Sequence, residues 1–233
     1  MQLLAVLIAA AFALIGLVPL ARSAFRQPTV WVILVIGAFA FPIAQWVTRI
    51  VWEPAAGGLG LPQAGVGLAI TLLVWALVGE VFKIAPVLIV GAMTEAPPRD
   101  WFAYGAAAGA GFGLFAEQQI IGYALEVARL SFSTPLSTPL SAAVAIAFRL
   151  FPILAHTATT AFVAWATTRG WLGRGLLAAT LAHLLLGLIE RGQGSLGILL
   201  ARLLFGAVAL FLFLYAWSLR EQTLQRPSRL STG

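Results

Sequence analysis

The run AGVGLAITLLVWALVGEVFKIAPVLIVGAM, from Ala64 to Met93, decides the class of this protein. About 20 apolar residues in a helix cross a hydrocarbon core ~30 Å thick, and the only charges in this run are Glu80 and Lys83, ahead of an interruption at Pro86. Outward from it, the chain divides on the same length scale. Toward the N-terminus lie two more apolar runs, Gln2 to Ala21 and Thr29 to Thr48, the second with a kink predicted at Pro42. A loop from Arg49 to Pro62, carrying Gly57-Gly58 and two prolines, separates them from the third run. Toward the C-terminus, the polar loop Thr94 to Asp100 leads into Trp101 to Leu125, which starts on an interfacial aromatic. The Ser/Thr/Pro-rich stretch from Glu126 to Pro139 cannot sit in lipid as a regular helix. Ser141 to Thr168 follows, crossing from about Leu150 after an interfacial lead-in. A short run from Gly175 to Ile189 and a last one from Leu196 to Leu219 complete seven spans, before a polar, flexible tail from Arg220.

Composition agrees. Of 233 residues, 61% are hydrophobic and 9% charged, against about 25% charged in soluble domains. A soluble monomer and a disordered chain are excluded. The net charge of +6 comes from 13 Arg and one Lys scattered singly, so no basic run tracks phosphates and no nucleic-acid partner is expected. The absence of cysteine removes disulfides and thiolate metal sites. The expected fold is all-α: a polytopic integral membrane helix bundle of about seven transmembrane helices, multi-pass in the cell membrane with the lipid bilayer around it. It forms one domain over residues 1–219, with residues 220–233 as tail. The first run has no Lys or Arg ahead of it, which favours a retained helix over a cleaved signal. With seven spans, Arg22, Arg26, Arg99, Arg169, Arg174, Arg220, Arg226 and Arg229 share a side, against Arg49, Arg129 and Arg191, with Arg149 and Arg202 near membrane boundaries. That bias assigns the C-terminus to the cytoplasm.

A charge at the bilayer centre costs roughly 2.5–3.5 kcal/mol even on the lenient insertion scale. The informative residues are therefore those inside the apolar runs: Glu80, Lys83, Glu117, His156 and His183, which include both histidines and the only lysine. Glu80 and Lys83 are three apart and share a helix face. Glu117 ends a ridge of Gly105, Gly109 and Gly113 that lets another backbone approach. His156 opens His-Thr-Ala-Thr-Thr, with Thr160 one turn along as a supporting group, and Glu190 lies seven residues after His183. At about 1.5 Å per residue, His156 and Glu117 lie roughly 9–10 Å from the outer ends of their helices, and His183 about 12 Å from the inner end. One such residue is often just an interhelical hydrogen bond, worth ~0.6 kcal/mol. A set of five on four helices points to a functional polar site.

Carboxylates and imidazoles in a dry site can hold a divalent metal such as zinc, activate water through a glutamate with histidines as orienting or oxyanion groups, or relay protons in a transporter. The residues also resemble a family. Gly79-Glu80-Val81-Phe82-Lys83 is similar to the Glu-Glu-x-x-Lys motif of PrsW-type intramembrane proteases, relatives of the CAAX-prenyl and bacteriocin-processing proteases. In the same order, residues 109–118 resemble that family's Gly- and Phe-rich helix ending in Glu-Asn. His156-Thr-Ala-Thr-Thr160 resembles its His-x-x-x-Thr/Ser helix, and His183-Leu-Leu-Leu-Gly187 its His-x-x-x-Asn motif.

The resemblance covers a motif core of residues 79–187. It implies a catalytic set of Glu80, Glu117, His156 and His183, with Lys83 as a supporting charge. If a metal such as zinc is used, Glu117, His156 and His183 would be its ligands. The implied activity is that of an intramembrane endopeptidase, a peptide hydrolase acting on a membrane-bound protein or peptide. Gly79, Gln118 and Gly187 depart from the pattern, standing where the family has Glu, Asn and Asn. Two other readings stay open: a non-catalytic, protease-derived scaffold or regulator of membrane proteins, and a proton-coupled transporter, against which the lack of an inverted repeat counts.

Overall fold

The computed structural model describes all residues except 23, 62–64, 131–136, 192–196 and 226–233. Among the described residues the chain is helical, with no strand. The helices are α1 (Gln2–Ala21), α2 (Pro28–Val47), α3 (Glu53–Gly58), α4 (Gly65–Met93), α5 (Pro98–Leu130), α6 (Ser137–Phe148), α7 (Leu150–Thr167), α8 (Leu172–Arg191) and α9 (Gly197–Gln225). Six helical stretches among the described residues are long and apolar enough to cross a membrane: α1, α2 with its extension, α4, α6–α7, α8 and α9. The seventh long helix, α5, lies at their centre and packs against α1, α2 and α7. This is an all-α polytopic membrane bundle.

Its polarity is the reverse of a soluble domain. Phe39, Ile89 and Phe211 are 60–67% exposed, whereas the Lys83 side chain is fully buried. Apolar groups face outward because the surrounding lipid is as apolar as they are, so helices here associate through close packing rather than through hydrophobic exclusion. Small residues on α5 provide that packing. A Cβ on Gly105 would strike the Thr160 carbonyl and Ala161, and one on Gly109 would strike the His156 carbonyl and Thr157, all on α7. On another face, a Cβ on Gly111 would strike the Leu34 carbonyl, and one on Gly37 of α2 would strike Ala108. Backbone therefore meets backbone on both sides of α5. The obstacles are main-chain atoms that cannot rotate away, so Gly109→Val is expected to cost at least the 1–3 kcal/mol typical of overpacking. Unfolding of the purified protein in mixed micelles measures it. An unchanged midpoint would mean the ridge is not a packing seam.

Several expected boundaries shift. The loop predicted from Arg49 is helical to Gly58: α2 passes through a π-helical turn, Thr48–Trp52, into α3. Pro54 is the second residue of α3, directly after the π-helical turn. Pro86 lies inside α4 without ending it. The Ser/Thr/Pro-rich stretch is helical at both ends, since α5 runs to Leu130 and α6 starts at Ser137. Its middle, residues 131–136, lies outside the described residues. The expected lead-in to the fifth span is α6, separated from α7 by a break at Arg149. Residues 220–225 of the predicted tail belong to α9, and residues 226–233, with Arg226 and Arg229, lie outside the described part.

Candidate functional site

The five ionisable groups singled out from the apolar runs divide into two sets. Glu80 and Lys83 share the inner face of α4 and form an ion pair, Lys83 Nζ to Glu80 Oε1 2.5 Å, with neither side chain exposed. From α8, His183 Nδ1 lies 3.0 Å from the same Glu80 oxygen. From α7, His156 Nδ1 lies 3.4 Å from Lys83 Nζ. Thr159 Oγ1 accepts from Lys83 at 3.4 Å and reaches Glu80 Oε1 at 3.5 Å. The two imidazole rings stand edge to face with centroids 4.7 Å apart. Phe112 of α5 packs edge-on to His156 and offers its face to the Lys83 ammonium at 5.3 Å. Three helices thus meet in one polar knot with an aromatic lid.

The seam described above explains how the knot is assembled. Gly109 receives the backbone at His156 and Gly113 lies against Ile153 and the His156 ring, so α7 is held to α5 where its histidine must turn inward. A desolvated ion pair of this kind is costly unless its remaining donors and acceptors are matched. Here the ammonium's three donors have three acceptors within reach: Glu80 Oε1, Thr159 Oγ1 and His156 Nδ1. Glu80 Oε2 is buried without a hydrogen bond among the described residues.

Glu117 belongs to the second set. Its carboxylate accepts from Arg149 at 3.3 Å, and the same guanidinium donates to Glu190 at 3.2 Å. Arg149 sits at the break between α6 and α7 and ties α5 to α8. Of the expected metal set Glu117, His156 and His183, Glu117 pairs with Arg149 and not with the histidines. Among the described residues no three His, Asp or Glu side chains gather closely enough to hold a metal ion. The expected supporting residue Thr160 also turns elsewhere: its hydroxyl donates to the His156 carbonyl at 2.9 Å. Thr159 takes its place in the site. Positions i+3 and i+4 are equally good partners for His156 on spacing, so the sequence held a signal for both and a means of choosing for neither.

Both sets border one cavity of about 570 Å³, lined by His156, His183 and Thr159 as well as by Glu117 and Glu190. Its apolar walls include Phe41, Trp75, Phe112 and Phe205. The volume falls within the range of small-molecule and substrate sites, ~300–1,000 Å³. Compared with known protein families, curated proteins and solved structures, the chain matches none. Its chemistry is therefore read from these side chains alone. Gly79 and Gly187, the two departures from the resembled motifs that border this site, lie on the cavity wall. A Cβ at Gly79 would meet only Phe112 at 3.6 Å, and one at Gly187 only Leu72, at 3.6 Å and beyond. Both positions have room for a side chain and carry none.

Proposed function

We propose that this protein is an intramembrane endopeptidase of PrsW-like type, hydrolysing a peptide bond of a membrane-bound protein or peptide inside the cavity. The observation that carries the reading is the pair of imidazoles on the cavity wall, each backed through Nδ1 by a buried charge of opposite sign, Glu80 behind His183 and Lys83 behind His156. Peptide hydrolysis needs a base for water and a donor for the tetrahedral oxyanion, and the remaining ring nitrogens are groups of that kind. The apolar walls suit a segment arriving from lipid.

The test is reconstitution into proteoliposomes with a panel of single-span peptides carrying fluorescence-quenched scissile segments. Cleavage is expected, and it slows by about 100-fold or more in His156→Ala and His183→Ala variants that still insert. Cleavage at an unchanged rate in both variants would overturn the reading.

The reading assigns water activation to the histidines rather than to a metal, because Glu117 pairs with Arg149 and no three His, Asp or Glu side chains gather among the described residues. Cleavage is accordingly expected to survive chelators unchanged and to gain nothing from zinc. Loss on chelation with recovery on adding zinc would reverse this assignment. The arginine distribution supports a cytoplasmic C-terminus in the cell membrane.

A second reading, a non-catalytic scaffold or regulator, is favoured by one observation: the side-chain-free wall at Gly79 and Gly187. It expects no cleavage of any peptide. It also expects partner binding that survives replacement of Glu80, Glu117, His156 and His183 together.

A further inference from the structure

We infer that the Glu80–Lys83 ion pair fixes opposite tautomers on the two histidines, making His183 the base and His156 the hydrogen-bond donor of the site. The assignment of catalytic roles rests on the peptidase reading; the tautomers themselves do not. A carboxylate can only accept a hydrogen bond and an ammonium can only donate one. Glu80 Oε1, 3.0 Å from His183 Nδ1, therefore requires a proton on that nitrogen. In the neutral ring Nε2 is then bare and accepts. Lys83 Nζ, 3.4 Å from His156 Nδ1, requires the reverse: that nitrogen is bare, and the proton sits on Nε2, which donates. Thr159 completes the ion pair's surroundings: its hydroxyl oxygen accepts from Lys83 and its proton is free to reach Glu80 Oε1 at 3.5 Å or the His156 carbonyl at 3.3 Å.

Both rings line the cavity and stand 4.7 Å apart between centroids, so one acceptor and one donor are offered to the same bound group. One ion pair produces an asymmetric pair of imidazoles from two otherwise identical side chains. In hydrolysis, His183 Nε2 takes a proton from water as the water oxygen bonds to the peptide carbonyl carbon. The carbonyl oxygen, now carrying the negative charge, accepts the His156 Nε2–H. The His183 imidazolium then returns its proton to the amide nitrogen as the C–N bond breaks, leaving a carboxylic acid and an amine. Glu80 and Lys83 are positioning residues in this scheme, touching the imidazoles rather than the peptide.

The chain has only two histidines, which makes the test direct. Protein labelled with ¹⁵N in histidine alone contributes four ring-nitrogen signals, and bare and protonated ring nitrogens are widely separated in chemical shift. Each ring is assigned by the single variants His156→Gln and His183→Gln. At mildly alkaline pH the expected pattern is protonated Nδ1 with bare Nε2 for His183, and bare Nδ1 with protonated Nε2 for His156. Lys83→Met is expected to abolish the preference of His156 alone, a change that a purely structural lysine would not produce. Matching tautomers on both rings, the reversed pattern, or a doubly protonated His183 would each overturn the inference. This readout needs no substrate, so a failed tautomer assignment and a failed peptidase assignment are seen in different experiments.

Discussion

Lys83→Met is expected to destabilise the bundle by about 3–5 kcal/mol, the cost of breaking a buried ion pair by removing one partner. Both side chains of the pair are fully buried, and the shared oxygen is also the acceptor for His183. Methionine fills the volume of the lysine stem but returns no charge, leaving Glu80 with only the His183 and Thr159 donors. Lys83→Met/Glu80→Gln is expected to recover most of the loss, because replacing both members of a buried pair is often neutral or better. Reversible unfolding in mixed micelles measures the single and double variants, and the cycle isolates the pairwise contribution. If the single variant is no less stable than the double, the two groups are not a charged pair in the folded protein.

His183→Ala is expected to slow peptide cleavage by about 10²–10⁴-fold, the usual contribution of a positioned general acid–base group. His156→Ala is expected to cost about 10²–10³-fold, as for loss of one oxyanion donor. Both effects should appear in kcat with little change in KM, because the groups act on the proton and charge that develop in the transition state rather than on bound substrate. Steady-state cleavage in proteoliposomes across substrate concentrations separates the two constants. A rise in KM at unchanged kcat would reduce the histidines to parts of a binding wall.

Much of this is legible in the amino-acid sequence itself. The apolar runs predicted the long helices to within a few residues at most ends, because length and composition alone decide whether a segment is stable in lipid. The spacing of Glu80 and Lys83 predicted their pairing, since neighbours three apart on a helix need no third element to meet. The ridge of Gly105, Gly109 and Gly113 was readable as a close-approach face, though not the helix that fills it. Other features were not readable. The π-helical turn after α2 carries the chain through a stretch whose glycines and prolines read as a loop. Glu117 shared depth and chemistry with the histidines, yet pairs with Arg149, a residue that reads as a boundary charge.

What the sequence by itself determined is the membrane class, the helices and the short roster of polar residues that must lie inside. These follow from local physics: a helix satisfies its own backbone, and each intramembrane charge is unfavourable wherever its neighbours are. What only the tertiary structure decided is partnership. Glu80 and Lys83 hold His183 and His156, Glu117 goes to Arg149, and Thr159 rather than Thr160 joins the site. The reason is rotational. Lipid-facing and protein-facing surfaces of these helices are almost equally apolar, so the pattern of hydrophobicity does not set how each helix turns. That angle is set where backbone meets backbone, at Gly109 against His156 and Gly111 against Leu34.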